Sequence, residues 1–157
     1  MSKGPHNKLR RQSRLSAVQA LYQMDVSGLT SKQVTMEFLN HRFGYDDEPG
    51  MVAADEEFFE NIVTGVVERQ DEIDEMIVKN LKDSWTMKRL DMTLRAILRS
   101  GAYEVLQRPD IPALVIIDQY VSIAADFHET NQTGFVNRVL ENMAKSVRKA
   151  EFGIVGG

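Results

Sequence analysis

The stretch from Leu90 to Val105, LDMTLRAILRSGAYEV, decides the fold class of this 157-residue chain. Its apolar and small residues recur every three or four positions, which is one face of an α-helix and not the alternation of a half-buried strand. The stripe consists of Leu90, Leu94, Ile97, Leu98, Gly101, Ala102 and Val105. Because the same period recurs along almost the whole chain, the sequence predicts an all-α protein.

The periodicity predicts six or seven helices joined by short links. Ser31 is expected to be the N-cap of the second helix, and Gly65 to mark a bend in the third. The Val/Ile run at 115–117 is the main risk of a strand. No linker suggests a boundary, so we expect a single domain over 1–157, with 1–7 and 150–157 flexible. The predicted helices cover residues 8–26, 31–43, 55–81, 90–105, 112–127 and 133–149.

The composition is that of a globular protein, with 43% apolar and 27% charged residues. The chain has no cysteine, which excludes disulfides and thiolate metal sites. There is neither an apolar run of about 18 residues nor a secretory signal behind the basic N-terminus. We therefore expect a cytoplasmic protein that does not bind membranes.

The formal charge of −4 is distributed unevenly. The first 14 residues carry five cations, and no acidic residue precedes Asp25. The region from Asp46 to Glu75 is strongly acidic. Lys and Arg in such a cluster can neutralise the phosphates of a nucleic acid. Binding to the acidic surface of another protein would use the same residues, so both interpretations stay open. The cations of this N-terminal basic segment are Lys3, Lys8, Arg10, Arg11 and Arg14.

Motifs for enzyme chemistry are missing from the sequence. It contains no nucleophile elbow, phosphate-binding loop or dinucleotide fingerprint. The histidines His6, His41 and His128 are far apart, and no metal-ligand spacing occurs. The acidic residues at 55–60 are typical of the first turn of a helix, where carboxylates favour the positive end of the dipole. The sequence thus predicts a protein that is not an enzyme and needs no cofactor or metal.

Four strings, taken together and in order, resemble the NusB family of bacterial transcription antitermination factors. Any one of them alone would be weak, because an amphipathic helix produces similar patterns. In register they cover nearly the whole chain. The strings are RRQSR at 10–14 with AVQALY at 17–22, RAILRSGAYEV at 95–105, DIP at 110–112 leading to VIIDQYV at 115–121, and GFVN at 134–137.

The resemblance implies a fold of two perpendicular helical bundles in one NusB-like domain. It implies binding to boxA-type single-stranded RNA in rRNA leader transcripts, jointly with the ribosomal protein NusE. The resulting complex would convert RNA polymerase to a termination-resistant form without a chemical step. Some members of the family form homodimers, so a homodimer is a further expectation.

The resemblance also implies which residues bind. It places RNA contacts at Arg10, Arg11 and Arg14, to which the neighbouring lysines Lys3 and Lys8 are added. It puts a phenylalanine beside the RNA, with two asparagines as nearby polar candidates. These three residues are Phe135, Asn131 and Asn137.

Tyr22 matches a position that faces the protein partner. Two residues depart from the family pattern. Leu94 stands where some members carry an acidic partner contact, and Arg138 stands where glycine is usual. The first departure changes the expected partner interface, and the second adds a possible phosphate contact.

Several alternatives stay open at this point. Phe135 is a core residue or a stacking surface, and Trp85 is expected in the core or as a lid rather than as a platform on which a base stacks. Arg99, inside an apolar stripe, is expected to pair with a carboxylate. The runner-up functions are an RNA-binding accessory domain, like the one that precedes the catalytic part of some rRNA cytosine methyltransferases, and a structural adaptor with an acidic face.

Overall fold

A computed structural model describes residues 6–45, 47–82, 85–127 and 132–154. These residues form seven α-helices and short 3₁₀ turns at Met87–Arg89 and Lys149–Phe152. The described part of the chain contains no strand, only one isolated bridge between Phe43 and Val52. The all-α prediction is therefore confirmed. The helices are α1 (His6–Ser27), α2 (Ser31–His41), α3 (Glu56–Glu68), α4 (Gln70–Lys79), α5 (Met92–Gln107), α6 (Ala113–Asp126) and α7 (Thr133–Val147).

The predicted N-cap of α2 is wrong by one residue. Thr30, and not Ser31, accepts a hydrogen bond from the backbone N–H of Gln33. The Gln33 side chain in turn accepts one from the backbone N–H of Thr30. This reciprocal pair is a capping box, which satisfies two backbone donors at the helix start.

The predicted long helix over 55–81 is two helices. The break lies at Arg69, whose φ of −118° and ψ of 21° are not helical, while Gly65 is buried within α3. The Val/Ile run at 115–117 lies in the first turns of α6, so the helical interpretation is confirmed. The predicted flexible ends overlap regular structure, since α1 begins at His6 and residues 150–152 lie in a 3₁₀ turn.

The chain forms two compact units, Met1–Glu68 (unit 1) and Arg69–Gly157 (unit 2). In unit 1, helices α1, α2 and α3 pack around an aromatic cluster. The Phe59 ring centroid lies 5.1 Å from that of Phe38 and 4.9 Å from that of Phe43. Such tilted and edge-on pairs stabilise a core beyond simple burial.

Helix α5 is the centre of unit 2, where it contacts α4, α6 and α7. Gly101 allows this close approach. A Cβ at this position would lie 2.9 Å from a methyl carbon of Leu140 and 3.3 Å from the Tyr120 ring. Nearby, the buried Tyr120 hydroxyl donates a hydrogen bond to the buried carboxylate of Glu104, which satisfies both polar groups.

Arg148 anchors the connection between α5 and α6. Its guanidinium donates to the backbone carbonyls of Glu104, Val105, Arg108 and Ile111, which lie at or beyond the end of α5. Glu151 accepts a hydrogen bond from the backbone N–H of Ala113 and pairs with Arg148. These two contacts, the backbone N–H first, lower the pKa of the Glu151 carboxyl.

Candidate nucleic-acid interface

The first two turns of α1 carry most of the N-terminal basic segment. Lys8 is exposed, and Arg11 is partly exposed. The first turn contains no acidic residue. Lys3, the remaining lysine of the segment, lies outside the described residues, as does the predicted RNA contact Asn131.

Two of the arginines predicted to contact RNA are directed against the body of unit 1. The Arg10 and Arg14 guanidinium carbons lie 4.5 and 5.0 Å from the centroid of the Phe58 ring. These distances are typical of cation–π contacts. Arg14 and Phe58 are each only 3% exposed. In this conformation Arg14 is therefore part of the core, and a phosphate could reach it only if the side chain moved.

Asp55 connects this part of α1 to the start of α3. Its carboxylate accepts the backbone N–H of Phe58 at 3.0 Å, and its backbone carbonyl accepts the Ser13 hydroxyl at 2.6 Å. The Arg10 Nε atom lies 3.8 Å from the same carboxylate. Asp55 thus holds Phe58 beneath Arg10 and Arg14, while Lys8 is exposed and Arg11 partly exposed.

Unit 2 contains a cleft of about 360 Å³, which we call the aromatic cleft. Three of its lining residues are cations and two are aromatic. One of the two aromatic residues is Phe135, which the resemblance to the family places beside the RNA, and Arg138 lies next to it. The lining residues are Lys82, Trp85, Arg89, Leu90, Asp91, Leu94, Gln132, Phe135 and Arg138.

Each aromatic side chain of the cleft has an arginine over its ring. The Arg138 guanidinium carbon lies 5.4 Å from the centroid of Phe135, and that of Arg89 lies 5.9 Å from Trp85. Trp85 is 41% exposed, so it does not lie in the core, and its alternative role as a lid stays a prediction. Phe135 is partly buried and lines the cleft, and a stacking role for it stays a prediction.

Two further cleft residues, Asp91 and Leu94, lie at the start of α5. Asp91 is its N-cap and accepts the backbone N–H of Leu94 at 2.8 Å. Leu94, predicted to face a protein partner, is only 6% exposed and offers a partner little surface. On α7, Asn137 donates a long hydrogen bond of 3.5 Å to Glu141 within the same helix. The binding roles of Leu94 and Asn137 stay predictions.

Tyr22 lies on the exposed side of α1. It is 42% exposed, and Val26, one turn further along the helix, is 58% exposed. Residues four apart share a helix face, so these two side chains form a small apolar surface. This exposure suits the predicted contact with a protein, which stays a prediction.

Arg99 behaves as a structural arginine. Its Nε and Nη2 atoms lie 2.8 and 2.9 Å from the two carboxylate oxygens of Asp74. This bidentate geometry is the strong form of an arginine–carboxylate pair. The predicted pairing with a carboxylate is therefore confirmed, and it occupies the side chain of Arg99 within unit 2.

Metal-ligand clusters and membrane-spanning helices are absent from the residues that the structure describes. No three His, Asp or Glu side chains among them come together as metal ligands. None of the helices that the structure describes is long and apolar enough to cross a membrane.

Sequence reasoning missed the contribution of Lys82, Trp85 and Arg89 to the cleft. Trp85 is the only tryptophan of the chain, but nothing in the local pattern showed that it is exposed. The periodicity places Leu90 and Leu94 in a stripe, and does not reveal the position of the segment before α5.

The described helices, the basic start of α1 and the aromatic cleft bordered by cations are features of an all-α protein. The profile of the NusB family matches residues 11–145. The chain belongs to the NusB family.

The relatives of the chain are named for a role in transcription. The chain is 49% identical over 146 residues to the "Transcription antitermination protein NusB" of Maricaulis maris, covering 92% of this chain and 91% of the relative. It is 48% identical over 137 residues to the protein of the same name from Caulobacter vibrioides, covering 87% and 92%. These names describe a transcription factor and not an enzyme, which agrees with the sequence prediction.

Solved structures share the fold. "T. maritima NusB, P3121, Form 2" superposes with a TM-score of 0.78 at 30% identity and covers 98% of this chain and 100% of that chain. A chain of "Crystal Structure of Antitermination Factors NusB and NusE in complex with dsRNA" superposes with a TM-score of 0.66 at 23% identity, covering 88% and 98%. The predicted NusB-like helical fold is thus confirmed.

Proposed function

We propose that this chain suppresses transcription termination by binding boxA-type single-stranded RNA in rRNA leader transcripts together with the ribosomal protein NusE. The observation that carries the proposal is the 49% identity, over 92% of the chain, to a protein named for transcription antitermination. The complex of the three components acts on RNA polymerase by assembly, and the chain catalyses no step.

Two surfaces support the RNA partner. The start of α1 presents Lys8 and Arg11, and the aromatic cleft of unit 2 combines stacking faces with cations. Phosphate neutralisation and base stacking are the two sources of affinity for single-stranded nucleic acid. The NusB of one solved complex is named with NusE and dsRNA; we propose NusE and RNA as partners of this family member as well, and the single-stranded form of the RNA rests on the resemblance to the family.

The exposed apolar surface at Tyr22 and Val26 supports the protein partner. Aromatic side chains are enriched among the residues that dominate the affinity of protein interfaces, and Tyr22 is 42% exposed. NusE is therefore proposed to cover this side of α1.

The first test measures RNA binding by fluorescence anisotropy. A labelled boxA oligonucleotide is titrated with the chain alone and with an equimolar amount of NusE. A scrambled oligonucleotide and a boxA duplex serve as controls. We expect the single-stranded boxA RNA to bind most tightly, and NusE to increase the affinity further. Equal binding of the scrambled strand, or no gain from NusE, would contradict the proposal.

A matched pair of variants tests the protein interface. Tyr22→Asp is expected to weaken the gain from NusE by about tenfold or more, as loss of a central interface aromatic does. Tyr45→Asp changes another exposed tyrosine of unit 1 and should leave that gain unchanged. Circular dichroism checks that both variants keep their helices. If Tyr22→Asp assembles with NusE as the unmodified chain does, NusE binds elsewhere.

A further inference from the structure

We propose that the aromatic cleft of unit 2 is a subsite for one unstacked base of the bound RNA. In this subsite Trp85 supplies a stacking face in addition to Phe135, and Lys82, Arg89 and Arg138 hold the phosphates on either side of that base. The inference rests on the proposed RNA-binding function. It adds a site for a single base, with Trp85, Lys82 and Arg89 as RNA-binding residues.

The exposure of Trp85 is the first argument. A tryptophan is the largest apolar side chain and is highly buried on average, yet Trp85 is 41% exposed beside a cleft of about 360 Å³. Phe135 lines the same cleft and is also incompletely buried. Every nucleobase has a π-face, so aromatic side chains bind single strands largely independently of sequence.

The charge of the cleft is the second argument. Among the described residues, its ionisable side chains are three cations and one carboxylate, Asp91. Two of the cations lie over the aromatic rings, at 5.4 and 5.9 Å from their centroids. A phosphate attached to a stacked base would lie within reach of these side chains, which is the combination that single-strand binding sites use.

Asp91 and Gln132 define how the base is oriented. Asp91 uses Oδ1 to cap α5, and a carboxylate can only accept further hydrogen bonds. It therefore disfavours a phosphate at its end of the cleft and suits a base edge that carries N–H donors. Gln132 has an amide, which can both donate to and accept from such an edge.

The single tryptophan gives a direct readout, because all of the indole fluorescence of the chain comes from Trp85. The full-length chain is titrated with single-stranded boxA RNA while emission and anisotropy are recorded. We expect emission to be quenched as the RNA binds, with the same midpoint as the anisotropy. A series of RNAs with one abasic site each should contain one position that abolishes most of the quenching and weakens binding about 5- to 150-fold.

Three variants separate stacking from other roles of the side chain. Trp85→Leu should lose about 5- to 150-fold in affinity with an unchanged salt dependence, whereas Trp85→Phe should retain most of the affinity. Tyr45→Leu removes an exposed aromatic of unit 1 and should bind RNA as the unmodified chain does. Thermal unfolding monitored by circular dichroism checks that the fold persists, which the exposure of Trp85 favours.

The outcomes distinguish this subsite from the proposed function itself. If the unmodified chain binds boxA RNA and Trp85→Leu binds it equally well, the base subsite is wrong and the proposed function stands. RNA binding without quenching, or equal loss at every abasic position, would also overturn the subsite. If the unmodified chain does not bind RNA at all, both proposals fail.

Discussion

Contacts between arginine and the ring of phenylalanine occur in both units. The phenylalanine is buried in unit 1 and lines a cleft in unit 2. In unit 1, Arg10 and Arg14 lie over Phe58, whose ring is 3% exposed. In unit 2, Arg138 lies over Phe135, which lines an open cleft. The contacts are similar in distance, but the first belongs to the core and the second is accessible to a ligand.

The comparison shows that the number of basic residues in a sequence motif does not tell how many of them are accessible to a ligand. A guanidinium whose ring partner is buried stabilises the fold, and its charge is partly screened from a ligand. A guanidinium beside an accessible ring can contact a phosphate while the ring stacks on a base. We therefore expect substitutions at Phe58 to change stability most, and substitutions at Phe135 to change RNA affinity most.

The largest expected effect is that of Phe58→Ala on folding. Removing a buried phenylalanine typically costs about 3–5 kcal/mol of unfolding free energy, and here the stacked guanidinium groups of Arg10 and Arg14 also lose their partner. Phe135→Ala should cost clearly less, because its ring is only partly buried. Urea unfolding followed by circular dichroism compares the two variants. Equal losses of stability would abolish the distinction between the two stacked pairs.

The second effect concerns RNA affinity at the cleft. Phe135→Ala is expected to weaken binding by about 1–3 kcal/mol, the contribution of one stacked base, with almost no change in salt dependence. Anisotropy titrations at several salt concentrations measure both quantities. Phe135→Leu is the matched control for bulk, since it keeps an apolar side chain and loses the aromatic face. If the leucine variant binds normally, stacking on Phe135 is not a source of affinity.

The third effect separates the arginines of α1. Each phosphate contact contributes roughly −0.7 to the slope of log affinity against log salt for a single strand. Arg11→Ala should flatten the slope by about this amount, because Arg11 is partly exposed. Arg14→Ala should leave the slope nearly unchanged and lower the unfolding free energy, because Arg14 is 3% exposed. The opposite pattern would show that Arg14 leaves Phe58 when RNA binds.

Features encoded by neighbouring residues could be predicted from the sequence. The apolar period identifies the helices. The capping box of Thr30 and Gln33 is also a local signal, which the prediction of Ser31 as N-cap overlooked. The break at Arg69 has no such signal, since neither glycine nor proline occurs there. It depends on how α3 and α4 pack within their own units, which a local pattern does not contain.

The site could be predicted only in part, for a similar reason. The resemblance to the family predicts Arg10, Arg14 and Phe135 as binding residues, but their exposure depends on residues distant in sequence. Phe58 determines the position of the two arginines. Trp85 was expected in the core or as a lid, and only the fold shows that it lines a cleft.

Arg148 shows that unit 2 also contains an arginine with a buried side chain, which stabilises the fold and is not available to a ligand. Its side chain is 8% exposed, and it contacts backbone carbonyls and Glu151 rather than an aromatic ring. If the charges of Arg148 and Glu151 stabilise unit 2, protonation of Glu151 at low pH should weaken their ion pair. This is the smallest effect that we predict.

The pKa of Glu151 is lowered by the backbone N–H of Ala113 and by Arg148. A carboxylate whose pKa is lower in the folded state contributes stability above its unfolded value, about 4.3. That contribution is lost as the pH falls through the lower folded pKa. Glu151→Gln should therefore reduce the unfolding free energy at neutral pH by less than about 1 kcal/mol, because the carboxylate of this ion pair is exposed to solvent. The variant should also unfold with a weaker dependence on acid below about pH 4.3. Urea unfolding at a series of pH values measures this, with Glu57→Gln, an exposed glutamate of unit 1, as the control for removing one negative charge. If the two variants have the same acid dependence, the Arg148–Glu151 pair holds the α5–α6 connection by geometry alone, and the charge of the internal arginine contributes nothing measurable to unit 2.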